Sequence, residues 1–386
     1  MTKLNQRSKR TVAVVAALAL AQALFSFPAF GAGDAADPGD AGPVAEEQAA
    51  TADGQGREGA AAPAAEPAAT PAADPAAAPV AEPEAPADDG VVEVGSYSEL
   101  YYAVRDAGQA PTTIRLTRSF DATGGISVDA GQDVTLTAVD GVVLGRAAGN
   151  ASTFIYVKGG SLSLENVIVD GKDVPSGYPA AYVASGATLR LGEGSVVRNN
   201  CNDYSGQCYG GGVYNAGTLL LEGGIISGNT AKSYGGGVYN YGTFTMTAGE
   251  VSGNANPTWY GGGVYNNGAF TMTGGTIGDN EVTSTTYGKG GGIYSQGALT
   301  IAAGDGDAPL IEGNSASVSG GGVYSTGVTN LSGGTVSGNV NGGVFVDVAD
   351  VAKKVEVSGL TITGTTGSYP ALRCGTLGDA LVSGCA

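Results

Sequence analysis

Gly235-Gly-Gly-Val-Tyr-Asn-Tyr-Gly-Thr-Phe-Thr-Met-Thr-Ala-Gly-Glu-Val-Ser-Gly-Asn254 is one pass of a phrase that this chain repeats. Its opening six residues also stand at Gly210–Asn215 and Gly261–Asn266. They return as Gly290–Ser295 and Gly320–Ser325, with a worn copy at Gly342–Val346. Successive starts lie 25, 26, 29, 30 and 22 residues apart. The closing four residues have counterparts at Ile226–Asn229, Ile277–Asn280, Ile311–Asn314 and Val336–Asn339. A period of this size marks a solenoid, in which each repeat buries its apolar face only against its neighbours.

Within the phrase, Phe244 and Met246 alternate with Thr243, Thr245 and Thr247, and Val251 follows after Ala-Gly-Glu. Apolar residues two apart describe a strand with one buried face, and no segment carries a 3.6-residue stripe. Glycines at 242, 249 and 253 separate the runs, where a turn needs positive φ or close backbone approach. Each repeat is therefore expected to hold three short strands and three bends. That is one coil of an all-β, right-handed parallel β-helix, with coils stacked about 4.8 Å apart.

Stacking predicts columns. Val213, Val238, Val264, Ile293, Val323 and Val344 form one inward column. Leu219/Leu221, Phe244/Met246, Phe270/Met272, Leu299/Ile301 and Leu331 form a second; Ile226, Val251, Ile277, Ile311 and Val336 form a third. Asn229, Asn254, Asn280, Asn314 and Asn339 are expected to stack at a bend as a structural amide ladder.

The 386 residues include 67 Gly, no His, and only 14% charged residues, with a formal net charge of −18. Residues 1–32 carry the basic Lys3, Arg7, Lys9 and Arg10, and most of the acid excess falls in 33–90. An acidic chain with scattered cations argues against nucleic acid and anionic membrane surfaces. The absence of His removes Ser-His-Asp and Cys-His nucleophile systems and His-ligated metals. No cofactor and no metal are expected.

Residues 1–32 read as a secretory signal: a basic start, an apolar Thr11–Phe27 run and small residues at Ala29–Ala32. Membrane contact is expected only through this segment, if uncleaved. Residues 33–90 are Ala/Pro/Asp/Glu low complexity, read as a disordered acidic tether. Residues 91–125 are expected to cap the solenoid, with Ser98 as N-cap of a helix that ends at Gly108. Residues 126–386 form the β-helix, with regular repeats from about 190 to 345. In an exported chain the local pairs Cys201/Cys208 and Cys374/Cys385 are disulfide candidates.

The paired phrases resemble those of the polymorphic outer membrane proteins, whose repeats carry Gly-Gly-Ala-Ile and Phe-x-x-Asn. Here Gly-Gly-Gly-Val/Ile and Ile/Val-x-x-Asn stand in their place over roughly 190–345. Similar repeats occur in secreted bacterial surface proteins with pectin-lyase-like folds. The resemblance implies a right-handed parallel β-helix, surface display and adhesion. No autotransporter barrel and no Leu-Pro-x-Thr-Gly sorting signal are evident.

The same fold carries polysaccharide lyases and hydrolases, so chemistry must be weighed separately. The Gly-His-Gly phrase of polygalacturonase-like enzymes is impossible without His. Asp170 and Asp173 with Lys172, and Asp305 with Asp307, are the nearest acidic groupings; the second reads as a solvated turn. The aromatic signal is stronger. If the Val column faces inward, Tyr214, Tyr239, Tyr265, Tyr294, Tyr324 and Phe345 face outward. These are read mainly as a stabilising stack. Tyr209, Tyr234, Trp259, Tyr260 and Tyr287 line a loop edge and are the candidate ligand-binding residues. The expected function is non-enzymatic adhesion to a host-cell or matrix glycan or protein. A polysaccharide lyase or hydrolase, or a structural envelope spacer, are the alternatives.

Overall fold

The computed structural model describes residues 90–203, 208–348, 353–375 and 380–383. The expected export signal, and the expected tether up to residue 89, lie outside the described residues. The described chain is a right-handed parallel β-helix in which the paired strands are parallel. A 20-stranded sheet supplies two faces, a 10-stranded sheet a third, and a 6-stranded sheet of two-residue strands fills a corner.

One coil shows the plan. Thr243–Ser252 runs continuously across the first two faces, Ala255–Asn256 enters the small sheet, and Val264–Asn266 lies in the third face. Two of the three expected strands run together in this coil, and the strand in the small sheet is an addition; where the long strand divides, as into Ala269–Met272 and Thr276–Gly278, the coil holds four. The extra strand is two residues long, too short for alternation to reveal it. Register with the next coil follows the sequence repeat: Phe244 beside Phe270, Met246 beside Met272, Val251 beside Ile277 and Val264 beside Ile293.

All three expected aliphatic columns are buried in one continuous core. Phe244 and Phe270 stack inside it with ring centroids 4.4 Å apart. Burying one such side chain stabilises by about 1.5–3 kcal/mol, and each coil repeats the gain.

The bend after Val251 is held by the asparagine ladder. Asn229 donates both its backbone N–H and its Nδ2 to Asn254 Oδ1, at 2.9 and 3.0 Å. Its Nδ2 also reaches the Val197 carbonyl at 3.0 Å. Asn254, Asn280 and Asn314 repeat the arrangement toward Asn280, Asn314 and Asn339. The ladder begins one coil earlier than expected, at Asn200. Each amide satisfies groups on both neighbouring coils, so burial costs it little.

The glycine triplet follows from this ladder. Gly235 has φ +63°, where a side chain would be strained, and a Cβ on Gly237 would meet Asn254 Nδ2 at 2.9 Å. Thus the opening phrase of each coil makes room for the closing asparagine.

A second buried ladder was not anticipated. Asn215 Nδ2 donates to Asn240 Oδ1 at 2.7 Å, Asn240 to Asn266 at 2.7 Å, and Asn266 to Ser295 Oγ at 2.9 Å. It uses the last residue of the Gly-Gly-Gly-Val-Tyr-Asn phrase.

At the N-terminal end, strand Val91–Val94 leads into helix Tyr97–Asp106, which buries Tyr97, Leu100, Ala103 and Val104. Ser96, not Ser98, is the N-cap: its Oγ accepts from the Glu99 N–H at 3.3 Å, and Glu99 Oε2 accepts from Gly95 N–H at 2.6 Å. The Ser-x-x-Glu spacing fixes this choice, since only Ser96 has Glu three residues on. The helix closes at Ala107, one residue before Gly108.

Candidate functional site

The third face carries the tyrosines. Tyr182, Tyr214, Tyr239, Tyr265, Tyr294, Tyr324 and Phe345 stack along it, with successive centroids 4.6, 5.1, 5.2, 5.3, 5.4 and 4.8 Å apart. They point away from the aliphatic core, as alternation requires. Nevertheless they are not exposed: Tyr239 is 2% and Tyr265 1% accessible. Facing away from the core is not the same as facing water here.

The reason is a second aromatic layer. The segments just before each glycine triplet lie across the tyrosine face, and Tyr209, Tyr234, Tyr260, Lys289 and Ser319 pair in register along it. Tyr209 lies 4.8 Å from Tyr239, Tyr234 4.8 Å from Tyr265, and Tyr260 4.4 Å from Tyr294. Together the layers make an apolar cluster separate from the main core.

This divides the five candidate binding residues. Tyr234, at 8% accessibility, belongs to the covering layer and offers little surface. Tyr209, Trp259 and Tyr260 are half-buried, and Tyr287 is 38% exposed. Trp259 and Tyr287 stack at 4.4 Å with planes 12° apart, and Trp259 also touches Tyr234 and Tyr260. The result is a flat aromatic ledge over a fixed floor.

Asn256 sets the position of Trp259, a role not foreseen from sequence. Buried in the small sheet, its Oδ1 accepts from the Thr258 and Trp259 N–H groups at 2.9 and 2.8 Å. Its Nδ2 donates to the Ser233 and Tyr260 carbonyls at 2.7 and 3.2 Å. The signal was the Asn-Pro-Thr sequence, since an Asn side chain commonly holds its own following turn. Tyr287 is braced through Ser284, whose Oγ accepts its N–H at 3.2 Å and whose carbonyl accepts from Gly288 at 2.8 Å.

Electrostatically the flank is neutral ring surface ending in cations. Burial, with neighbouring phenols, pushes the Tyr234 hydroxyl up to about 12 and raises Tyr214, Tyr239, Tyr265, Tyr294 and Tyr324 further. Their rings therefore stay uncharged at neutral pH. Beyond Tyr260 the register continues with Lys289, whose ammonium sits 4.9 Å above the Tyr324 ring. Arg373 pairs beside Phe345 and places its guanidinium 4.7 Å from that ring. Tyr324 donates to Asp347 Oδ2 at 3.1 Å.

The acidic groupings are built differently. Burial works to raise the Asp170 carboxyl, but the Lys172 N–H, Arg198 and Asn199 outweigh it and hold it below the usual range. Lys172 is engaged by Asp121 at 2.5 Å. The Arg198 contact ties neighbouring coils together, and the Lys172 contact spans the coil between them at Gly145. Asp305 and Asp307 are exposed on an insertion. Among the described residues no three His, Cys, Asp or Glu side chains converge as a metal site.

Cys201 is a free thiol, so the expected Cys201–Cys208 bridge is not made in this structure. Burial, then Asp203 and Asp173, raise its pKa and keep it protonated. Cys385, the expected partner of Cys374, lies outside the described residues. No family model, curated protein or solved structure matches the chain.

Proposed function

We propose that this protein is a non-enzymatic, exported β-helix that binds carbohydrate on its aromatic ledge, as an adhesin of the bacterial surface or its surroundings. The observation that carries the reading is the stacked Trp259–Tyr287 pair, half open to solvent and held from beneath by Tyr234 and Tyr260. Flat ring surface that is immobilised before binding suits the apolar faces of sugar rings, because little side-chain entropy remains to be lost. The varying length of the segments between coils supports recognition rather than a bare spacer. The repeat phrases, the basic-apolar N-terminus and the acidic low-complexity segment support export and display, in keeping with the polymorphic outer membrane protein and pectin-lyase-like resemblance. Asp170 is engaged in an inter-coil ion pair, and this favours a holding role over sugar cleavage.

A glycan array probed with the full chain tests the proposal. Saturable binding to a defined set of glycans is expected, falling at least about tenfold when Trp259 and Tyr287 are both changed to Ala. Binding unaffected by that double substitution removes the ledge from the account. Release of reducing or unsaturated ends from the glycans replaces adhesion with catalysis.

A further inference from the structure

The cations of this acidic chain are not distributed like one another. Arg105, Arg115, Lys158, Lys172, Arg190, Arg198 and Lys232 each pair with a carboxylate. Among the described residues Arg118, Arg146, Lys353, Lys354, Lys289 and Arg373 do not, and of these Lys289 and Arg373 stand on the tyrosine flank. Among the described residues neither has an acidic oxygen within ion-pair distance; each lies instead over an aromatic ring of the tyrosine flank. Lys289 continues the Tyr209–Tyr234–Tyr260 column, and Arg373 takes the rung after Phe345 in the tyrosine column.

The rings hold these side chains in place without neutralising them. A cation over a ring face keeps its remaining N–H donors available to an outside acceptor. Tyr324, beneath Lys289, and Arg373 are separated by two rungs of the third face, roughly 10 Å. Tyr260, paired with Lys289, touches both Trp259 and Tyr287. A sugar stacked on the ledge and extending along the solenoid therefore meets positive charge. Among the described residues Asp347 is the carboxylate placed against these groups, and it accepts from the Tyr324 hydroxyl.

We infer that the ledge takes an acidic glycan, with sugar rings on Trp259 and Tyr287 and carboxylate or sulfate groups met by Lys289 and Arg373. This rests on the carbohydrate-binding reading above and names its ligand class. Charge-assisted hydrogen bonds to such groups are about twice as strong as neutral ones, so the two cations set a preference rather than all of the affinity.

Calorimetric titration of the full chain separates the two claims. The probes are hexagalacturonate, the same oligomer fully methyl-esterified, and a heparin hexasaccharide. The expected result is at least about tenfold tighter binding of one or both acidic probes than of the ester, weakening as salt is added. Hexagalacturonate binding as tight as heparin shows that carboxylate suffices, and tighter heparin binding shows that sulfate adds to the recognition. In the variant K289Q/R373Q, whose stems still reach over the rings, the acidic preference should shrink to within about threefold while ester binding persists. Equal binding of charged and esterified oligomers, or a preference untouched in that variant, overturns the inference and leaves the carbohydrate reading standing. Failure of all three probes to bind overturns both.

Discussion

The coils before Asn200 and those after it share the same three large faces, held together by different means. In the early coils each corner is held by contacts used once. Arg146 is buried, donates to the Asn150 and Ser152 carbonyls at 3.0 and 2.7 Å, and lies over Phe154. Asn150 Nδ2 ties down the Ala122 and Gly124 carbonyls. Arg190 bridges Glu165 and Glu222 at 2.7 Å each, and Arg198 pairs with Asp170. In the later coils the same jobs fall to two amide ladders and a tyrosine stack. One-off contacts leave neighbours independent, whereas a ladder makes each rung depend on the next. The later coils also carry the aromatic ledge, so their regularity provides a rigid floor for it.

Alkaline titration should separate the two regions most strongly. The Tyr234 hydroxyl has its pKa raised from 10.0 to about 12 by folding. Above pH 10 the unfolded chain has lost protons that the fold retains, so stability is intact below about pH 10 and falls as pH rises through 12. The tyrosinate absorbance of the buried stack should therefore appear late and together with loss of the β circular dichroism signal. Ionisation of every tyrosine at constant structure would show that the covering layer is not closed.

Next in size is Asn254→Ala. It leaves the Asn229 N–H and one of the two Asn229 Nδ2 hydrogens without an acceptor and takes the side-chain donor from the Ile226 carbonyl, at a cost of about 4 kcal/mol in urea unfolding. The corresponding change in the early coils, Asn150→Ala, should cost about 2 kcal/mol. Tyr239→Ala, in the middle of the stack, is expected to cost about 3 kcal/mol against about 1 kcal/mol for Tyr156→Ala, whose half-buried ring meets Tyr182 edge-on at the end of the stack. The smallest effect is Arg190→Gln, below about 1 kcal/mol, since both its partners are at the surface. Equal losses for Asn254 and Asn150 would dissolve the distinction between the regions.

Much of the later region was legible in the chain because repetition amplifies a weak signal. Val238 alone says little; Val213, Val238, Val264, Ile293, Val323 and Val344 in one phase define a buried column. The amide ladder was readable for the same reason. The second ladder was missed, although Asn215, Asn240 and Asn266 recur equally, because the change to Ser295 and Ser325 broke the visible column. Accessibility of the tyrosines was not legible either. Alternation says which side of a strand a ring takes, but not that Tyr209, Tyr234 and Tyr260 fold back to cover it. In the early coils, strands such as Val143–Arg146 are not legible, since a buried arginine interrupts the apolar pattern and no second copy corrects the reading.

Trp259 is the only tryptophan in the chain, so fluorescence excited beyond the tyrosine band reports from the ledge alone. Titration of the full chain with hexagalacturonate, its methyl ester and heparin hexasaccharide, with calorimetry in parallel, tests the central claim directly. The account predicts a saturable change in Trp259 emission whose midpoint matches the calorimetric affinity. Measurable binding with Trp259 emission unchanged would place the ligand elsewhere and contradict it.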